Sequence, residues 1–200
     1  MMKLNVYIGV MGSGKDYEAD KCDEKISFGD AVRRDVWKIL KWKPKTQEEY
    51  EMFKETKWKL PGDRIHYFTG RRILQDYGTD IRRTEDKDHW VKQLITKIDA
   101  VNNTNLTLEV HERKYLTVGI PDCRFPNEVS GIINLWEKLA TTPKRFELEF
   151  IHCDYKSNRY NAEDPHESES MAQEFAGKVY KTGEFFMKIL KLHYTQWEQK

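Results

Sequence analysis

Apolar residues at Leu4, Val6 and Ile8, with Val10 closing the run, predict a short strand that ends at Gly9. The polar segment 15–25 behind it suits a helix, so the chain starts as strand, glycine-rich loop, helix. A second brief apolar run at Ile26 and Phe28 leads to Asp30, a candidate N-cap for a helix carrying Val32, Val36 and Leu40. Residues 41–63 are highly charged, begin near Pro44 and end at Pro61-Gly62, which predicts a helix-containing excursion from the core. After the segment TGRRILQDYGTDIRR (69–83), interrupted at Gly78, Trp90, Leu94, Ile98 and Val101 recur at helical spacing and predict an amphipathic helix. Residues 115–120 form a nearly continuous apolar strand, 121–127 a polar elbow, and Val129, Ile132, Ile133 and Trp136 a helix face. Residues 144–154 read as a further strand. A polar stretch, a helix from about Ser168 and an apolar segment around 185–192 complete the chain.

Strands that alternate with helical patterns predict an α/β fold with a mainly parallel sheet covered on both faces. Ligands of such sheets sit at the carboxyl ends of the strands. The loops after Ile8, Phe28, Ile120 and Ile151 are therefore where chemistry is expected. A length of 200 residues fits a single domain, and neither an internal repeat nor a low-complexity tract divides it.

Composition narrows the partners. With 34 Lys+Arg against 33 Asp+Glu, no global charge argues for a polyanion-binding surface. Cys22, Cys123 and Cys153 lack C-x-x-C spacing, and the six histidines show no metal-binding spacing, which fits a reducing, cytoplasmic setting without a zinc site. No leader pattern and no membrane-length apolar run is present. Trp37, Trp42 and Trp58 interleave with lysines, a pattern suited to single-stranded nucleic acid. Trp37, however, is in register with Val36 and Leu40, and Glu48, Glu49, Glu51 and Glu55 match the lysines, so a packed helix face is the stronger expectation.

The segment Gly9-Val-Met11-Gly12-Ser13-Gly14-Lys15 satisfies G-x-x-x-x-G-K directly after a strand and before a helix. Glycines let backbone N–H groups converge on phosphate oxygens, the helix N-terminus adds partial positive charge, and Lys15 reaches the β and γ phosphates. Asp16 stands where a Ser or Thr would place its hydroxyl on Mg²⁺. A carboxylate is a harder ligand for the same ion, and an acidic residue also suits a helix start, so a metal-linked and a structural role are both open. Asp122 ends an apolar strand as an acid that holds Mg²⁺ or orients an acceptor does.

The blocks SFGDAVRRDV, GRRILQDYGTDIRR, PDCRFPNE and HESE follow the Gly-Lys-Asp loop in this order. Together they resemble the deoxynucleoside monophosphate kinases of tailed bacteriophages, most specifically in the Gly-Lys-Asp loop and in DCRFPNE, whose family form is Asp-x-Arg-Phe-x-Asn-Glu. The Asp after the lysine belongs to that family's pattern. The resemblance implies a P-loop kinase fold with a five-stranded parallel sheet, a monophosphate-binding excursion over 30–85 and a short lid over 154–168. It implies transfer of the γ-phosphoryl group of ATP to a deoxynucleoside monophosphate, with Mg²⁺, for phage DNA precursor synthesis in the host cytoplasm. ATP would bind at Gly9, Met11, Gly12, Ser13, Gly14, Lys15 and Asp16, with Arg159 reaching in from the lid beside Lys156. Asp30, Arg33 and Arg71 or Arg72 would hold the acceptor, Gln75 and Asn127 would offer amide edges to its base, and Glu128 would accept hydrogen bonds from sugar or base. Lys15, Asp16, Asp122 and Arg124 would carry catalysis, with Asp16 and Asp122 toward the metal.

Plainer roles stand beside these. Arg72, Arg82 and Arg83 suit solvated helix charges, and Asp164 to Glu169, with His166 and Ser168, suits a helix start. Dephospho-coenzyme A or another small phosphorylated metabolite is an alternative acceptor, and an NTP-driven nucleic-acid ATPase an alternative of another class. Such a motor wants an acidic pair at the strand end, whereas TVGIPDCR has a lone Asp. Neither membrane nor stable nucleic-acid binding is expected, and a homodimer is left open.

Overall fold

The structure, a computed structural model, describes residues 2–9, 12–62, 65–108, 115–139 and 146–153. Met11, the lid with Lys156 and Arg159, His166 to Glu169, the helix expected from about Ser168 and the apolar segment around 185–192 lie outside the described residues.

The sheet is built from β1 (Met2–Ile8), β2 (Glu24–Lys25), β5 (Leu116–Ile120) and β6 (Phe146–His152), in the order β2-β5-β1-β6. All three pairings are parallel. Among the described residues the sheet has four strands where the resemblance implied five; three of the apolar runs predicted along the chain pair in it, and the fourth strand lies just before the run at Ile26 and Phe28. Leu4, Val6 and Ile8 of β1 are fully buried against Val118 and Ile120 of β5 and the helices of one face. Tyr7, on the other side, packs with Ala19 and Cys153.

Helix α1 covers only Lys15–Ala19 rather than 15–25. Its polar sequence buries Lys15 and Ala19 alone, too little apolar surface to hold a longer helix. The following strand is Glu24–Lys25, not the run at Ile26 and Phe28, because helix α2 (Phe28–Leu40) already starts there. Its N-cap is Ser27 rather than Asp30. Ser27 Oγ accepts from Asp30 N, and the Asp30 carboxylate accepts from Ser27 N, so Asp30 is the third residue of a reciprocal capping box.

The excursion holds α3 (Gln47–Glu55) and an antiparallel pair of β3 (Lys57–Trp58) with β4 (Phe68–Thr69). Trp37 meets Phe53 edge-on at 4.7 Å, and Trp42 lies 4.9 Å from Trp58, so the tryptophans spend their faces on one another as the packing expectation held. Helix α4 (Gly70–Asp76) does not break at Gly78; it widens into a π-helical turn, Tyr77–Ile81, and continues as α5 (Arg82–Glu85). Helices α6 (His89–Thr107) and α7 (Pro126–Leu139) complete the described layers. Trp90 of α6 is buried, and its indole N–H reaches Gly78 O at 2.7 Å. Among the described residues no helix is long and apolar enough to cross a membrane.

Candidate active site

Register places the site. Val6 of β1 pairs with Ile120 of β5, so the glycine loop after β1 and the elbow after β5 leave the same edge of the sheet side by side. In the loop, Gly14 adopts φ 86°, a left-handed conformation that L side chains rarely take, and turns the chain into α1. Lys15 is only 5% exposed, and its ammonium donates to Ser13 Oγ at 3.3 Å. Asp16 points outward instead: its side chain is 79% exposed and pairs with Lys25 at 2.9 Å, while Lys25 also holds Asp20.

The β5 elbow delivers Asp122 onto the start of α2. Its two carboxylate oxygens accept from Phe28 N at 2.9 Å and Gly29 N at 2.7 Å. Gly29 permits this approach, since a Cβ there would lie 3.1 Å from Asp122 Oδ2 and 3.2 Å from Arg33 Nη1. Burial pushes the Asp122 carboxyl above its ordinary value, against the pull of the Gly29 and Phe28 N–H groups and of the Arg124 and Arg33 charges.

Arg33 is fixed from below. Its Nη2 donates to Asp30 Oδ1 at 2.5 Å and to Ser27 Oγ at 3.1 Å, and Lys97 of α6 holds the other Asp30 oxygen at 3.0 Å. Burial alone would raise the Asp30 carboxyl, but hydrogen bonds from Lys97, Arg33 and the Ser27 N–H outweigh it and leave it below the ordinary value. Tyr50 of α3 faces the Arg33 guanidinium at 5.7 Å.

Asp122, Arg33 and Tyr50 line one cleft of about 200 Å³. It gathers the predicted Arg33, Gln75, Asp122, Arg124 and Glu128, and adds Tyr50, Thr79, Arg83, Trp90 and Phe125. Other predicted residues lie elsewhere. Arg71 pairs with Glu55 and Arg72 with Asp76, both outside the cleft lining. Asn127 is spent on the fold: its amide donates to Lys87 O at 2.8 Å and Asp88 Oδ1 at 3.0 Å, and its oxygen accepts from Arg83. Asp30 acts through Arg33 rather than from the lining itself.

Glu128 lines the cleft, but both its oxygens have partners in the protein. One meets Arg83; the other accepts from Arg124 N at 2.7 Å and Phe125 N at 3.1 Å, closing the start of α7. Burial raises its carboxyl above the ordinary value against the Arg83 charge and those two N–H groups. Arg83 is the residue that sequence reasoning set aside as a solvated charge. It is 13% exposed, paired with Glu128, and stacked 3.8 Å from the Phe125 ring centre. Its partners lie more than forty positions away, so no local spacing pointed to it. The one sequence signal was the tandem Arg82-Arg83, which a helix turns to different sides: Arg82 goes to Glu85 and Tyr77, Arg83 inward.

Among the described residues no cluster of three or more His, Cys, Asp or Glu side chains could hold a metal. Mg²⁺ bound largely by substrate phosphates and water needs only one or two protein carboxylates, and Asp122 and Asp16 are hard oxygen donors of that kind. Comparison with protein-family models gives no match, and comparison with curated proteins gives no relative.

Proposed function

We propose that the chain is a P-loop kinase that transfers the γ-phosphoryl group of ATP to a deoxynucleoside monophosphate, giving the diphosphate and ADP. The observation that carries this reading is the juxtaposition at one sheet edge of a phosphate-type loop and a cleft lined by three arginines, two acids and an amide. Lys15 would neutralise the β and γ phosphates, with the loop amides from Gly9 to Asp16 cradling them. Arg33 and Arg124 would face the acceptor phosphate from either side of Asp122. Two anions that approach in line need charge neutralisation and positioning more than base catalysis, and guanidinium pairs supply both.

Asp122 and Asp16 are the carboxylates that would hold Mg²⁺, which when bound would supply neutralisation of the phosphate charge. Asp122, in the elbow after β5 and beside the loop, would orient the ion's water ligands while it accepts from Phe28 N and Gly29 N; Asp16 is engaged by Lys25 and would have to exchange that partner. Gln75 keeps an amide edge in the cleft lining that a coenzyme A precursor need not require, which favours a mononucleotide acceptor over the alternative kinase reading. The packing of the tryptophans against one another weighs against a nucleic-acid motor.

ADP formation from Mg²⁺-ATP, measured against deoxy- and ribonucleoside monophosphates with dephospho-coenzyme A and single-stranded DNA as controls, tests the reading. Stimulation by a monophosphate with a matching diphosphate product is expected. Turnover only with the coenzyme A precursor or with DNA would overturn it.

A further inference from the structure

One wall of the cleft has hydrogen-bonding capacity that the fold leaves unspent. Gln75, Thr79 and Arg83 all line it. Spacings of four drift by roughly 40° per step around an α-helix. The wider π-helical turn at Tyr77–Ile81 takes up that drift and brings the three residues to one side. Such turns are uncommon and often mark functional sites.

Thr79 is the clearest case. Thr84, Thr96, Thr104 and Thr107 each donate the hydroxyl to a carbonyl one turn back, at Asp80, Lys92, Ala100 and Thr104 respectively. Thr79 makes no such bond, and its hydroxyl has no partner among the described residues. Neither does the amide of Gln75. Arg83 places one N–H on Asn127 and one on Glu128, and its other N–H groups lack a partner among the described residues although the side chain is only 13% exposed. These donors open onto the cleft, where a ligand can supply acceptors.

We propose that Thr79 and Arg83, with Gln75, form the edge that reads the heterocycle of the acceptor. The Thr79 hydroxyl and the Arg83 guanidinium donate to its carbonyl or ring-nitrogen atoms, while the Glu128 and Asn127 contacts hold the guanidinium in place against Phe125. The inference rests on the monophosphate-kinase reading and adds to it the residues that discriminate between bases.

The test uses the full chain and two variants, Thr79→Val, which keeps the shape and removes the hydroxyl, and Arg83→Lys, which keeps the charge and removes the planar fork. For each, kcat/KM is measured across the monophosphates and KM for ATP is measured separately. Thr79→Val should lower kcat/KM by roughly tenfold for the best base and by less for the others, so that the ranking compresses. Its KM for ATP should stay within about twofold. Arg83→Lys should compress the ranking further. A merely structural role would change all bases alike, and an unchanged or uniformly lowered ranking in Thr79→Val overturns the inference while the wild type remains active. A wild type that transfers phosphate to no monophosphate overturns the kinase reading and this inference together.

Discussion

Arg83 and Glu128 are the most completely buried ion pair in the site, with side chains 13% and 2% exposed. Truncating the cation leaves a carboxylate in a site whose burial already resists ionisation, so Arg83→Met should destabilise the protein by about 3–5 kcal/mol, read from the urea midpoint at constant m-value. A loss below about 1 kcal/mol would mean that Glu128 finds another partner or a proton at little cost. Asp30 behaves in the opposite sense. Its native carboxyl titrates below the ordinary value, so the native state holds this proton less readily than the unfolded chain. The stabilisation is therefore present above the unfolded value of about 3.9 and is lost as pH falls through the native one. Wild type should exceed Asp30→Asn in stability at pH 7, and the gap should close as the pH is lowered past 4. A gap that widens on acidification would contradict the assigned hydrogen bonds. Lys15 is a buried ammonium, and on the kinase reading its removal in Lys15→Met should lower kcat by about a hundredfold or more, with the far-ultraviolet circular dichroism unchanged.

Elements explain why some of this was legible in advance. A period-two pattern located β1, a nearly continuous apolar run β5, and period-3.6 patterns α6 and α7, because each carries its apolar side chains into the core: Leu4, Val6 and Ile8 in β1, Val118 and Ile120 in β5, and Trp90, Leu94 and Ile98 in α6. Boundaries set by polar chemistry were less legible. Ser27 and Asp30 are both good cap residues, and the choice between them depends on which backbone N–H each side chain reaches. Ser27→Ala should reveal this contact, lowering stability by about 1 kcal/mol, more than an exposed serine of α7 such as Ser130→Ala. The cleft followed the same division. Arg33, Asp122 and Arg124 sit at a helix start and a strand end, where topology predicts chemistry. Arg83, Thr79 and Tyr50 reach the cleft through a π-helical turn and an excursion that no periodicity announces, whereas Asn127 and Arg72, which look alike on paper, are absorbed by pairs elsewhere.

At the scale of the whole molecule, the parallel pairing of β1 with β5 and β6 brings the carboxyl ends of three chain-distant strands to one edge. The excursion then folds back on a core of its own aromatic rings, and Tyr50 carries it to the Arg33 side of the cleft. A phosphate-type loop beside a polar cleft is the arrangement that the proposed in-line transfer between two phosphates calls for. The most direct measurement is a single-turnover assay with ATP labelled at the γ-phosphoryl group, Mg²⁺ and one deoxynucleoside monophosphate at a time. The account predicts that the label appears in the deoxynucleoside diphosphate at the same rate as ADP, and that Lys15→Met abolishes both. Label released only as inorganic phosphate, whatever monophosphate is present, would contradict it.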